Sequence, residues 1–158
     1  MDMWTLVRFL HLLAVAAWLG GMLFLGLIVV PSVRAHGGLQ ASRALITTVG
    51  RRYGLMGGIA WVVLIATGLA MFHHRTGGFG TLGDGEYGRK VMEKLVLVTL
   101  MGIAVVFHSV VQAPRIRRAE ADGDEAARTR WRKVGATIDA GVLLATLLAL
   151  WLGVSLVS

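Results

Sequence analysis

Residues 4–30 read WTLVRFLHLLAVAAWLGGMLFLGLIVV, a run in which Arg8 is the single charged side chain. A helix rising about 1.5 Å per residue needs about 20 apolar residues to cross a hydrocarbon core of about 30 Å, and this run exceeds that length. Three further windows have the same character. Window 53–73 has no charged residue, 91–112 has only Glu93 and Lys94, and 134–158 has only Asp139. Over 158 positions, 56% are hydrophobic and 16% charged, against about a quarter charged in a soluble domain. The pattern predicts an all-α membrane protein of one domain, 1–158. Its expected form is a four-helix antiparallel transmembrane bundle with helices at about 4–30, 53–73, 91–112 and 134–157.

The absence of cysteine excludes disulfide frameworks, thiolate metal sites and iron–sulfur chemistry. A net charge of +7 could suggest nucleic acid, but the arginines sit in short loops between apolar spans and form no continuous basic face, so no nucleic-acid partner is expected. Their distribution speaks instead to orientation. Loop 31–52 carries Arg34, Arg43, Arg51 and Arg52, and loop 113–133 carries Arg115, Arg117, Arg118, Arg128, Arg130, Arg132 and Lys133. Loop 74–90 has only Arg75, Arg89 and Lys90, opposed by Asp84 and Glu86. The positive-inside bias therefore predicts that the first and third loops are cytoplasmic and that both termini are outside, in the periplasm of a bacterial inner membrane. Met1-Asp2-Met3 lacks a basic leader, so the first span is expected to be retained. Pro31 is expected to end the first helix, with Ala41 to Gly50 lying along the interface, and the glycine-rich segment 74–90 is expected to be irregular. Segment Arg115 to Lys133 could extend its helices beyond the membrane with mixed charge pairs, and no internal repeat is visible.

An ionisable group inside a span costs about 2.5–3.5 kcal/mol on insertion scales, so each one marks a candidate site. His11 lies seven residues past Trp4, about 10 Å deep by the helical rise. Trp4, Arg8, His11, Val15, Trp18 and Met22 share one helical face, as do Lys94, Val98, Met101, Val105, His108 and Gln112, and the row Thr67, Met71 and His74. With these rows turned inward, His11, Met71, His74, Lys94 and Met92 would border one outer chamber, with His73 beside it. His108 could approach Asp139 at the inner end. Imidazole and thioether suit copper, Cu(I) above all, and imidazole also supplies axial ligands to haem. A lysine ammonium would suit a carboxylate such as a haem propionate. Blander readings stand beside these. The His73-His74 pair at the membrane boundary is solvated at little cost, Arg8 and Lys94 can snorkel, the methionines can simply fill gaps, and His108 with Asp139 can form a structural lock.

The stretch from His11 to Trp18-Leu19-Gly20-Gly21-Met22-Leu23-Phe24 and on to Val29-Val30-Pro31 resembles the first helix of the copper-resistance protein D (CopD) domain. Arg51-Arg52-Tyr53 leading to Ala66-Thr67-Gly68-Leu69, and Tyr87-Gly88-Arg89 followed by Lys94, carry the likeness to about residue 118. The resemblance implies an inner-membrane protein associated with copper entry or homeostasis. CopD-like helices also resemble the HemJ type of protoporphyrinogen oxidase, which depends on a first-helix His and a third-helix Lys and is associated with b-type haem. His11 and Lys94 stand at those positions.

Three functions are therefore open. In the first, copper binds at an outer His/Met chamber of His11, Met71, His73 and His74, supplied by a copper donor. In the second, a b-type haem is held by His11, His74 or His108 with Lys94, and electrons pass to a quinone. In the third, the chain is an accessory structural subunit embedded in the lipid bilayer. Oligomeric state is left open, a homo-oligomer included.

Overall fold

The computed structural model describes the backbone of residues 2–36 and 39–155, with side chains except at 34, 36 and 39–47. All regular elements among them are helical. Helix α1 (Met3–Leu23) continues through a π-helical segment, Phe24–Val29, into α2 (Val30–His36), and α3 spans Leu39–Thr76. Helix α4 (Gly85–Phe107) likewise passes through a π-helical segment, His108–Gln112, into α5 (Ala113–Ala121), before α6 (Glu125–Val154). Four stretches are long and apolar enough to cross a membrane: Met3–Val33, Thr48–Thr76, Gly85–Ala121 and Glu125–Val154. The chain is thus an all-helical, multi-pass membrane protein. Large apolar side chains such as Leu27, Leu55 and Trp151 are each at least 70% exposed, as a lipid-facing surface requires.

The helices form two compact units, Met1–Gly80 and Thr81–Ser158. Each is an antiparallel hairpin, and each contains one of the chain's two prolines. A proline inside a helix has no N–H to donate, and its ring collides with the carbonyl four residues earlier. The same solution occurs in both units. Pro31 lies two residues beyond one π-helical segment and Pro114 two residues beyond the other. There the Val30 N–H donates to the Leu25 carbonyl, and the Ala113 N–H to the His108 carbonyl, five residues back. The wider turn makes room for the ring, and the helix continues. The expectation that Pro31 ends the first helix is corrected accordingly.

Two other boundaries also move. Helix α3 begins at Leu39, so the backbone from Ala41 to Gly50 belongs to a long helix rather than a separate interfacial piece. The side chains at Arg43 and His36, and the chain end at Ser158, lie outside the described residues. The glycine-rich segment is irregular only from Gly77 to Asp84. From Gly85 it is helical, and the Glu86–Lys90 ion pair at 2.8 Å spans the first turn of α4. Beyond Pro114 the helices do extend as charge-paired stems, with Arg128 bonded to Glu125 at 2.6 Å and 3.9 Å from Glu120. They are joined across Gly123, whose φ of +68° is the left-handed conformation that suits glycine.

Packing within each hairpin rests on small residues facing large ones. In the first unit Trp18 is 4% exposed and lies against Gly57. The Tyr53 hydroxyl donates to the Trp18 carbonyl at 2.8 Å, and its ring fills the space where a side chain at Gly21 would begin. In the second unit the Gln112 amide fills the corresponding space at Gly135 and donates to the Trp131 carbonyl at 2.9 Å. Met101 and Thr146 meet in the buried middle, with sulfur and hydroxyl 3.9 Å apart. Helix association in lipid depends on this close fit, because apolar burial gives little net drive there.

Gly21→Ala and Gly135→Ala should each destabilise their hairpin by about 1–3 kcal/mol through overpacking. Gly20→Ala and Gly141→Ala, which meet open space, should be nearly neutral. Thermal unfolding of the purified protein in detergent separates the two pairs, and equal melting shifts would remove the packing account.

Candidate functional site

In the first unit the antiparallel register sets polar side chains on successive rungs. The end rung pairs Trp4 with His74, whose rings stack at 3.7 Å with planes 13° apart. Two turns further in, His11 Nδ1 lies 2.8 Å from Thr67 Oγ1, and Thr67 is buried. A β-branched hydroxyl in a helix commonly bonds the carbonyl four residues back, and Thr67 does so at Val63, 2.5 Å away. That bond uses the hydroxyl's one proton. Thr67 is therefore the acceptor toward His11, and Nδ1 is the donor. The neutral imidazole then carries its lone pair on Nε2, and the ring orientation is fixed by the same bond. Gly68 lies beside the ring, where a side-chain carbon would stand in ordinary contact, 3.6 Å from His11 Cε1.

Met71 is half-buried one turn beyond Thr67 on the same row, between the His11 rung and the His74 rung. His73 is exposed and turned to the aromatic cluster around Phe79, with ring centroids 5.1 Å apart. Arg8 is exposed. The seven residues from Thr67 to His74 rise about 10 Å, so His11 and His74 occupy separate rungs. One small ion cannot be held by both rings, so within this hairpin the expected outer chamber divides into two levels.

In the second unit Lys94 is half-buried, and its Nζ occupies a notch at Gly153, 2.9 Å from where a side chain there would begin. Lys90 donates to the Ser155 carbonyl at 3.3 Å while holding Glu86. Both lysines thus reach the C-terminal end of α6, where carbonyls lack helical partners and the helix dipole is negative. His108 opens the π-helical segment, with Nδ1 3.9 Å from Asp139 Oδ1; these side chains are 47% and 66% exposed. At that distance and exposure the pair is a loose electrostatic contact. Among the described residues, no group of three or more His, Asp or Glu side chains is placed to hold a metal ion.

Several partners escape sequence reasoning. Thr67 and Gly68 were legible as a face and a packing position, but not as the acceptor and neighbour of His11. Gly153 carries no chemistry of its own, and only the fold shows the lysine lying over it. Gln112 is 2% exposed and leaves its Oε1 without a partner among the described residues, a feature that no spacing rule signals.

Residues 47–152, more than half of the chain, match the family CopD, Copper resistance protein D. Neither a curated protein nor a solved structure matched the chain.

The geometry at His11 has its own check. Nitrogen-15 spectra of histidine-labelled protein should show His11 protonated at Nδ1 in its neutral form, and Thr67→Val should release it to a tautomer mixture. An Nε2-protonated ring in the unaltered protein would contradict the assignment.

Proposed function

The chain belongs to the copper resistance protein D family, and from that premise we propose that it handles copper as cargo in a bacterial inner membrane, receiving Cu(I) through its first hairpin. The observation that carries this reading is the His11–Thr67 bond, which fixes an imidazole inside an apolar helix pair with its lone pair on Nε2. A histidine ligand held at its other nitrogen by an oxygen is the usual arrangement in metal sites. Met71, one turn away on α3, offers the soft thioether that favours Cu(I). His73 and His74 at the helix end assist capture at the surface, and the Trp4 ring holds His74 in place.

In this reading both termini face the periplasm, following the arginine bias of the loops, and the His11 rung lies in the outer part of the membrane. His11 and Met71 hold the ion, and the apolar neighbours exclude water. Lys94 sets the local charge in its own hairpin, and His108 with Asp139 forms the exit contact at the opposite end of the second hairpin.

Two measurements test the proposal. Elemental analysis of protein purified after copper loading should give stoichiometric copper that is lost in His11→Ala, and Thr67→Val should weaken copper affinity about 10–100-fold. A haem Soret band abolished in His11→Ala, with no copper bound, would transfer the site to the haem reading; neither signal would leave an accessory subunit. For orientation, a reporter inserted at Gly80 should be active in the cytoplasm and one in the 122–124 turn in the periplasm only if the topology is inverted. The proposal requires the opposite pattern.

A further inference from the structure

The start of α6 carries a groove of about 560 Å³ that no copper chemistry uses. Its polar wall is Thr129, Arg130, Lys133 and Thr137, and its apolar wall includes Val134 and Ile138. These positions recur at three- and four-residue steps, so one face of the helix presents all of them. Arg130 and Lys133 are exposed, and among the described residues neither is held in an ion pair. Arg128, by contrast, is committed to Glu125 and Glu120. Arg130 keeps only a distant approach to Trp131, with its guanidinium carbon 6.0 Å from the ring centroid.

The groove also changes character along the helix. Thr129, Arg130 and Lys133 precede the apolar run of α6, whereas Val134 and Ile138 open it. Two cations and the Thr129 hydroxyl therefore stand where the helix leaves the membrane, directly above apolar side chains at acyl-chain level. We propose that this groove is a binding site for an anionic phospholipid. Its phosphodiester lies between Arg130 and Lys133 with the Thr129 hydroxyl as a further donor, the Thr137 proton being spent on the Lys133 carbonyl, and one acyl chain runs down over Val134 and Ile138. Charge complementarity selects the headgroup, because a guanidinium and an ammonium at adjacent turns attract the phosphodiester of a net-anionic lipid, whereas the cationic group of a zwitterionic headgroup offsets that attraction. The apolar floor selects a lipid over a free anion.

The test uses the full chain in micelles doped with equal phosphatidylglycerol and phosphatidylcholine, with retained lipid counted by native mass spectrometry. The unaltered protein should retain phosphatidylglycerol several-fold over phosphatidylcholine, and Arg130→Gln with Lys133→Gln should bring the ratio close to one. Arg130→Lys with Lys133→Arg, which keeps both charges and guards against a folding defect, should preserve the preference. Arg132→Gln removes an exposed charge of the same stem outside the groove and should also preserve it. An unchanged ratio in the double Gln variant, an equal loss in Arg132→Gln, or complete displacement by millimolar inorganic phosphate would each overturn the proposal.

Discussion

Hydrocarbon offers no hydrogen bond to a peptide group, so each helix in this chain has to keep its backbone bonded from end to end. The two prolines are the places where that requirement is hardest to meet. Both are accommodated in the same way, by a π-helical segment two residues ahead of the ring, and in both cases the helix runs on into a short stem. The extra residue in each wide turn rotates everything beyond it. In the second unit this directs Gln112 into the notch at Gly135, one of the few fully buried polar side chains among the described residues. The disruption caused by proline is therefore coupled to a packing position, and the segment doing the coupling begins at His108. Such π-helical bulges are frequent at functional sites, since they reposition a side chain at modest backbone cost.

Polar side chains within the spans follow the same constraint. Thr67, Thr146 and Ser109 each return their proton to a carbonyl three or four residues back, so none is left with an unbonded donor. Once its proton is spent in this way, a hydroxyl is available to its neighbours only as an acceptor. That simple fact converts Thr67 from a polar residue in a span into the group that determines which nitrogen of His11 is basic. The chemistry at His11 is thus a consequence of how a threonine satisfies itself in a helix.

Fold class was legible because four long uncharged windows leave lipid-spanning helices as the available solution, and the structure has four helices of that kind. Helix ends were less legible. Pro31 reads as a stop signal in water-soluble proteins, and Gly85 and Gly88 read as breakers, yet all three lie within helices here. The likeness of the two hairpins was hidden for a related reason. Their side chains differ, and the shared feature is a backbone device placed by two prolines. At the candidate site, the row Thr67, Met71 and His74 was visible from periodicity, but depth was not. The rung on which each imidazole falls depends on the register between α1 and α3, which is set by Tyr53 seated at Gly21 and Trp18 at Gly57.

The prolines also provide a common ruler. His11 stands twenty residues ahead of Pro31, and Lys94 stands twenty residues ahead of Pro114, so the two occupy equivalent levels of their own hairpins. What meets them there differs in a way that suits each group. An imidazole has one donor and one lone pair, and Thr67 takes the donor, leaving a basic nitrogen with a fixed direction. An ammonium has three donors and no lone pair, and it lies at Gly153 in the last turn of α6, near the end of a helix whose final carbonyls lack helical partners. Lys94 therefore reaches the negative end of a helix within its own hairpin. The two groups thus stand at one level of similarly built hairpins with different surroundings: the lysine reaches a helix end, and the imidazole is oriented by a threonine.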